Sequence, residues 1–72
     1  MLPVESSMMT GVDYDEEASE LDILFSSGKT YRYFDVPAEV YAKLIDAESK
    51  GQFFNEAIKD EFRFAEVTKR RR

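Results

Sequence analysis

At 72 residues with a net charge of −5, 43% hydrophobic and 14% aromatic side chains, and no cysteine, the chain is sized for one small core. A domain of this length buries only about 60 to 65% of its unfolded surface, so a second core is excluded and the stability margin is thin. The lack of cysteine rules out disulfide staples, zinc thiolate sites and a thiol nucleophile, and points to a reducing, cytoplasmic setting.

The amino-terminal Met1-Leu2-Pro3-Val4 has no basic region ahead of an apolar run. No stretch approaches the roughly 18 consecutive apolar residues of a membrane span, so no membrane association is expected. Four of the ten basic residues are Lys69, Arg70, Arg71 and Arg72, and removing them from a net of −5 leaves −9 over residues 1 to 68. So acidic a body repels phosphate and disfavours a general-purpose nucleic-acid module, leaving a local patch or the tail to serve as one. Residues 69 to 72 read as a basic, disordered tail on a single domain spanning 1 to 68.

In chain order, Pro3 to Ser7 is polar and unpatterned and reads as a lead-in. A first strand is expected from about Met8 to Tyr14, with a bulge at Gly11 that lets Met9, Val12 and Tyr14 face one way. Asp13 to Ser19 then forms a turn. Its Asp13, Asp15 and Glu17 have the alternate spacing of a calcium loop, but Ala18 stands where the loop needs glycine and Leu24 where it needs a bidentate glutamate, so no metal is expected.

Leu21, Ile23 and Phe25 alternate with Glu20, Asp22 and Leu24, the period of a strand with one buried face. Ser26-Ser27-Gly28 suits a three-residue hairpin loop closed by a left-handed glycine. That loop pairs Ile23 with Tyr31 and Leu21 with Tyr33 and puts both tyrosines on the apolar face. A two-residue turn at Ser27-Gly28 would instead set Leu24 against Tyr31 and turn them to the far side.

Asp35-Val36-Pro37 begins a helix running to about Ala47, with Val40, Tyr41, Leu44 and Ile45 on one stripe. Ser49-Lys50-Gly51-Gln52 has the form of a capping box and starts a second helix, whose inward side is Phe53, Phe54, Ala57 and Ile58. Phe62, Phe64 and Val67 then mark a short closing strand or an extended edge segment. The fold class is α+β: a three-stranded antiparallel meander, two helices on one face and a possible fourth strand.

These residues together resemble the KTSC domain, a family named after the lysyl-tRNA synthetase C-terminus that also occurs as small stand-alone bacterial and phage proteins. The resemblance runs from about Ser6 to Phe64. It rests on Ser6-Ser7, Tyr14-Asp15, Phe25 with Gly28, the central Tyr31-x-Tyr33, Val36-Pro37, Tyr41, and Ser49-Lys50-Gly51-x-Phe53-Phe54-Asn55 with Ile58. The resemblance implies RNA binding, through the family's attachment to a tRNA synthetase, and no established activity.

With neither histidine nor cysteine, the commonest general base, the thiol nucleophile and the usual metal ligands are missing, and no enzyme or cofactor is expected. Candidate binding residues are Tyr31 and Tyr33 as stacking rings, Arg32 between them, Lys50, Gly51 and Asn55 at the second helix start, and the tail Lys69, Arg70, Arg71 and Arg72. Each group also has a plain structural reading, as core, as helix cap and as solvated end. The other function class is a protein-interaction module or homodimer. Ten aromatic residues are many for two helices to cover, so Leu24, Phe34 or Phe64 could form an outer patch.

Overall fold

The computed structural model describes residues 2–4 and 6–67, with Met1, Glu5 and residues 68–72 outside the described part. Among the described residues, five strands form one sheet in the order β1-β2-β3-β4-β5: β1 Leu2–Pro3, β2 Met9–Asp15, β3 Glu20–Phe25, β4 Thr30–Tyr33 and β5 Phe64–Val67. Every neighbouring pair is antiparallel. Two helices, α1 Ala38–Asp46 and α2 Lys50–Ala57, lie between β4 and β5 in sequence.

β2, β3 and β4 are the expected meander and β5 is the closing strand. β1 is an addition, because Pro3 to Ser7 reads as a lead-in from sequence, yet Leu2 pairs with Val12 and Pro3 with Gly11. Pairing along an edge uses backbone groups and needs no side-chain pattern, and proline is tolerated in an edge strand. The Val4 N–H continues the contact to the Thr10 carbonyl at 3.2 Å.

The bulge falls where the pattern slips: Met9 pairs with Phe25 and Gly11 with Leu24, leaving Thr10 as the extra residue. The consequence is that Met9 and Val12 both reach the core with no exposed surface. The hairpin closes as a three-residue loop. Phe25 donates to the Lys29 carbonyl at 2.8 Å, Gly28 donates back to Phe25 at 2.9 Å, and Gly28 takes φ +98°, the left-handed region open to glycine. Leu21 therefore pairs with Tyr33 and Ile23 with Tyr31, and the two-residue turn is not formed.

At the opposite end of the sheet, the Asp15 carboxylate accepts from the Glu17 and Ala18 N–H groups at 3.1 and 3.3 Å and holds the β2–β3 turn closed. Pro37 precedes the first residue of α1. The Ser49 hydroxyl accepts from the Gln52 N–H at 3.3 Å, which is half of a capping box; the Gln52 side chain bonds Glu56 at 3.2 Å instead of reaching back.

Met9, Val12, Leu21, Ile23 and Tyr33 from the sheet meet Leu44 of α1, Phe54 of α2, and Val36 and Ile58 beside the helices in one core. Tyr41 of α1 stacks on Tyr14 with centroids 4.8 Å apart, and the Tyr14 hydroxyl donates to the Val36 carbonyl. α2 sends Phe54 edge-on against both Phe25 and Tyr33. Tyr31, from the same sheet face as Tyr33, is only half buried, and Phe64 of β5 is 53% exposed. The β4–β5 side of this face is thus left open.

Candidate binding groove

The open part of the helix-side face is a groove of about 310 Å³ walled by Phe25, Tyr31, Tyr33, Phe54 and Phe64, with Ser27, Lys29, Lys59 and Asp60 completing the lining. It follows from the register. Because side chains alternate along a strand, pairing Ile23 with Tyr31 and Leu21 with Tyr33 aims Phe25, Tyr31 and Tyr33 the same way. β5 pairs Phe64 with Tyr33, which places a further ring beside them.

The rings form a continuous array. Phe64 lies face to face with Tyr31 at 5.4 Å and 12°, and tilted to Tyr33 at 5.3 Å. Phe25 meets Tyr31 edge-on at 5.7 Å and Phe54 at 5.4 Å. Such edge-to-face and offset contacts satisfy the ring quadrupoles and hold each wall against its neighbour. Burial, then the neighbouring Tyr31 and Asp60, push the Tyr33 hydroxyl up to about 12, so Tyr33 stays a neutral wall at physiological pH.

The candidate residues named from sequence are not brought together. Tyr31 and Tyr33 line the groove, Tyr33 as a core residue at 3% exposure and Tyr31 as an accessible wall. Arg32 points from the opposite sheet face, where its guanidinium binds the Asp22 carboxylate through two hydrogen bonds of 2.9 and 3.0 Å and lies 3.5 Å from Glu20. The hydrogen bonds and charge of Asp22 raise its pKa further above an already high value. Asp13 and Asp15 adjoin this pair, which makes the second face acidic.

Lys50 is occupied in capping α1, donating from Nζ to the Ala47 carbonyl at 3.0 Å. Gly51 faces Ser6 and Met8, and an added Cβ there would lie 3.6 Å from the Ser6 hydroxyl and 3.7 Å from the Met8 Cβ. Asn55 is exposed on α2. Lys69, Arg70, Arg71 and Arg72 lie outside the described residues.

Phe25, Phe54, Lys29, Lys59 and Asp60 were not among the candidates. The hairpin register carried the signal for Phe25; Lys59 and Asp60 follow α2 and reach the groove only through the tertiary fold. Of the residues expected on the outside, Phe64 is exposed, whereas Leu24 and Phe34 are half buried, with the Arg63 guanidinium 5.4 Å over the Phe34 ring.

Among the described residues no group of three or more histidine, cysteine or acidic side chains is placed to hold a metal ion, and no helix is long and apolar enough to cross a membrane. Fold and groove together define a small α+β domain with an aromatic groove on its helix-side face.

The chain belongs to the KTSC domain family, whose profile matches residues 5–62. It is 44% identical over 63 residues to a protein of Tsukamurella paurometabola, covering 88% of this chain and 94% of the relative. It is also 40% identical over 68 residues to a lysine–tRNA ligase of Nostoc punctiforme, covering 94% of this chain but only 12% of that enzyme. The crystal structure of a KTSC domain protein from Yersinia pestis superimposes with a TM-score of 0.90 at 35% identity, over 92% of this chain and 93% of that one.

Proposed function

We propose that this domain binds single-stranded RNA without catalysing a reaction on it, and that the aromatic groove is where RNA is held. The carrying observation is the conjunction of five aromatic walls with Lys29 and Lys59 at their edge. Aromatic faces stack bases and lysines neutralise phosphates, the two ingredients of single-strand recognition. The lysine–tRNA ligase relatives support the choice of RNA, since enzymes that join lysine to tRNA carry a segment like this chain.

Charge placement supports it as well. Asp13, Asp15, Glu20 and Asp22, four of the fifteen carboxylates, gather around Arg32 on the other sheet face, away from the groove. A cytoplasmic setting accords with the cysteine-free composition.

The test is a titration of labelled tRNA and single-stranded RNA into the full chain at low salt. Binding that weakens as salt rises is the expected result, and no binding at roughly tens of micromolar protein retires the proposal. A protein partner or homodimer is the second reading, favoured by the exposed Phe64 on the edge strand β5. A sedimentation mass above one chain, lost on Phe64→Asp, is the outcome that reading requires.

A further inference from the structure

Resting on the RNA reading, we infer that the groove receives one unpaired nucleobase, stacked on the array formed by Tyr31 and Phe64, with its adjoining phosphate at Lys29 and Lys59. The volume of about 310 Å³ lies at the small end of the roughly 300 to 1,000 Å³ typical of ligand pockets, which suits a single nucleotide and not a paired stem. Phe64 is 53% exposed and parallel to Tyr31, so one more planar ring extends a stack already begun. An aliphatic occupant would fill the space but gain nothing from that parallel alignment.

The charges favour the same occupant. Lys29 comes from the β3–β4 hairpin and Lys59 from the segment after α2, so two cations approach one groove from different elements. Among the described residues, Asp60 is the carboxylate in the lining. A carboxylate repels phosphate but accepts from the amino group of adenine, cytosine or guanine, so it assigns the base and the phosphate to different parts of the groove. Uracil, which has no amino group, is the base it favours least.

The experiment uses nucleoside monophosphates and ribose 5-phosphate as probes, followed by amide chemical shifts of the full-length chain, alongside a short RNA with one unpaired base and the same RNA with that position abasic. Adenosine, cytidine and guanosine monophosphates are expected to shift the Tyr31, Phe64 and Lys59 signals, uridine monophosphate less, and ribose 5-phosphate least. Phe64→Ala and the abasic RNA are each expected to lower affinity by about tenfold. The variant's own amide spectrum reports that it is folded.

RNA binding that is indifferent to the abasic position and to Phe64→Ala, but lost when Lys69, Arg70, Arg71 and Arg72 are all changed to alanine, overturns this inference and leaves the RNA reading standing. Absence of any RNA binding overturns both. Preferential displacement of bound RNA by a tyrosine-containing peptide, with no response to the monophosphates, gives the groove to a protein partner and overturns the inference.

Discussion

Phe64 of the last strand lies parallel to Tyr31 of the central Tyr-x-Tyr, centroids 5.4 Å apart and planes 12° apart. This contact joins the closing strand to the hairpin strand and makes a surface ring part of a wall. It also separates two roles that aromatic residues play in so small a chain: Tyr33 holds the core, and Phe64 with Tyr31 borders open space.

Phe64→Ala is expected to divide stability from binding. The ring is half in water, and its loss removes its contacts with Tyr31 and Tyr33, so unfolding stability falls by about 1 kcal/mol. RNA affinity falls further, by about 1 to 3 kcal/mol, the range seen for a lost base-stacking ring. Chemical denaturation and RNA titration of the same preparation check the pair of values.

Tyr33→Ala is expected to cost roughly 3 to 5 kcal/mol, a large share of a total stability of order 5 to 15 kcal/mol. Tyr33 is 3% exposed and packs against both Phe54 and Phe64, so nothing nearby is free to fill the space. An unchanged melting temperature would contradict its place in the core.

Alkaline pH should loosen the domain through Tyr33. Its hydroxyl ionises near 10.0 when unfolded and is pushed up to about 12 in the fold, chiefly by burial. Between those values the unfolded chain has released a proton that the folded chain still holds, so stability is whole below pH 10 and declines as pH rises toward 12. Tyr33→Phe removes this contribution. Denaturation midpoints across that window should fall less steeply in the variant than in the native chain.

Gly28→Ala tests the hairpin without touching the groove walls. At φ +98° a side chain meets backbone strain of about 1 to 2 kcal/mol, and an added Cβ there meets nothing within 4 Å, so the whole loss is conformational. The expected signature is a lowered denaturation midpoint with the slope unchanged.

The strands and helices were legible because their signals are local. Period-two alternation at Leu21, Ile23 and Phe25 marked β3, Gly28 chose the loop length, and Gly11 marked the bulge. β1 was not legible, since Leu2 and Pro3 join the sheet through backbone groups that leave no pattern in side chains. Half of the capping box failed for a related reason: Gln52 had a competing partner in Glu56 one turn on.

For the site, the order of residues along the chain was enough to place Tyr31 and Tyr33 on the apolar face, because one hairpin loop dictates the register of every pair behind it. Which of those rings would be sealed and which left open was decided by the fold in three dimensions. Helix α2 covers Tyr33 with Phe54, while β5, arriving from the far end of the chain, sets Phe64 beside Tyr31 and leaves it 53% exposed. Burial is a property of neighbours distant in sequence, and Lys59 and Asp60 came to the groove by the same route.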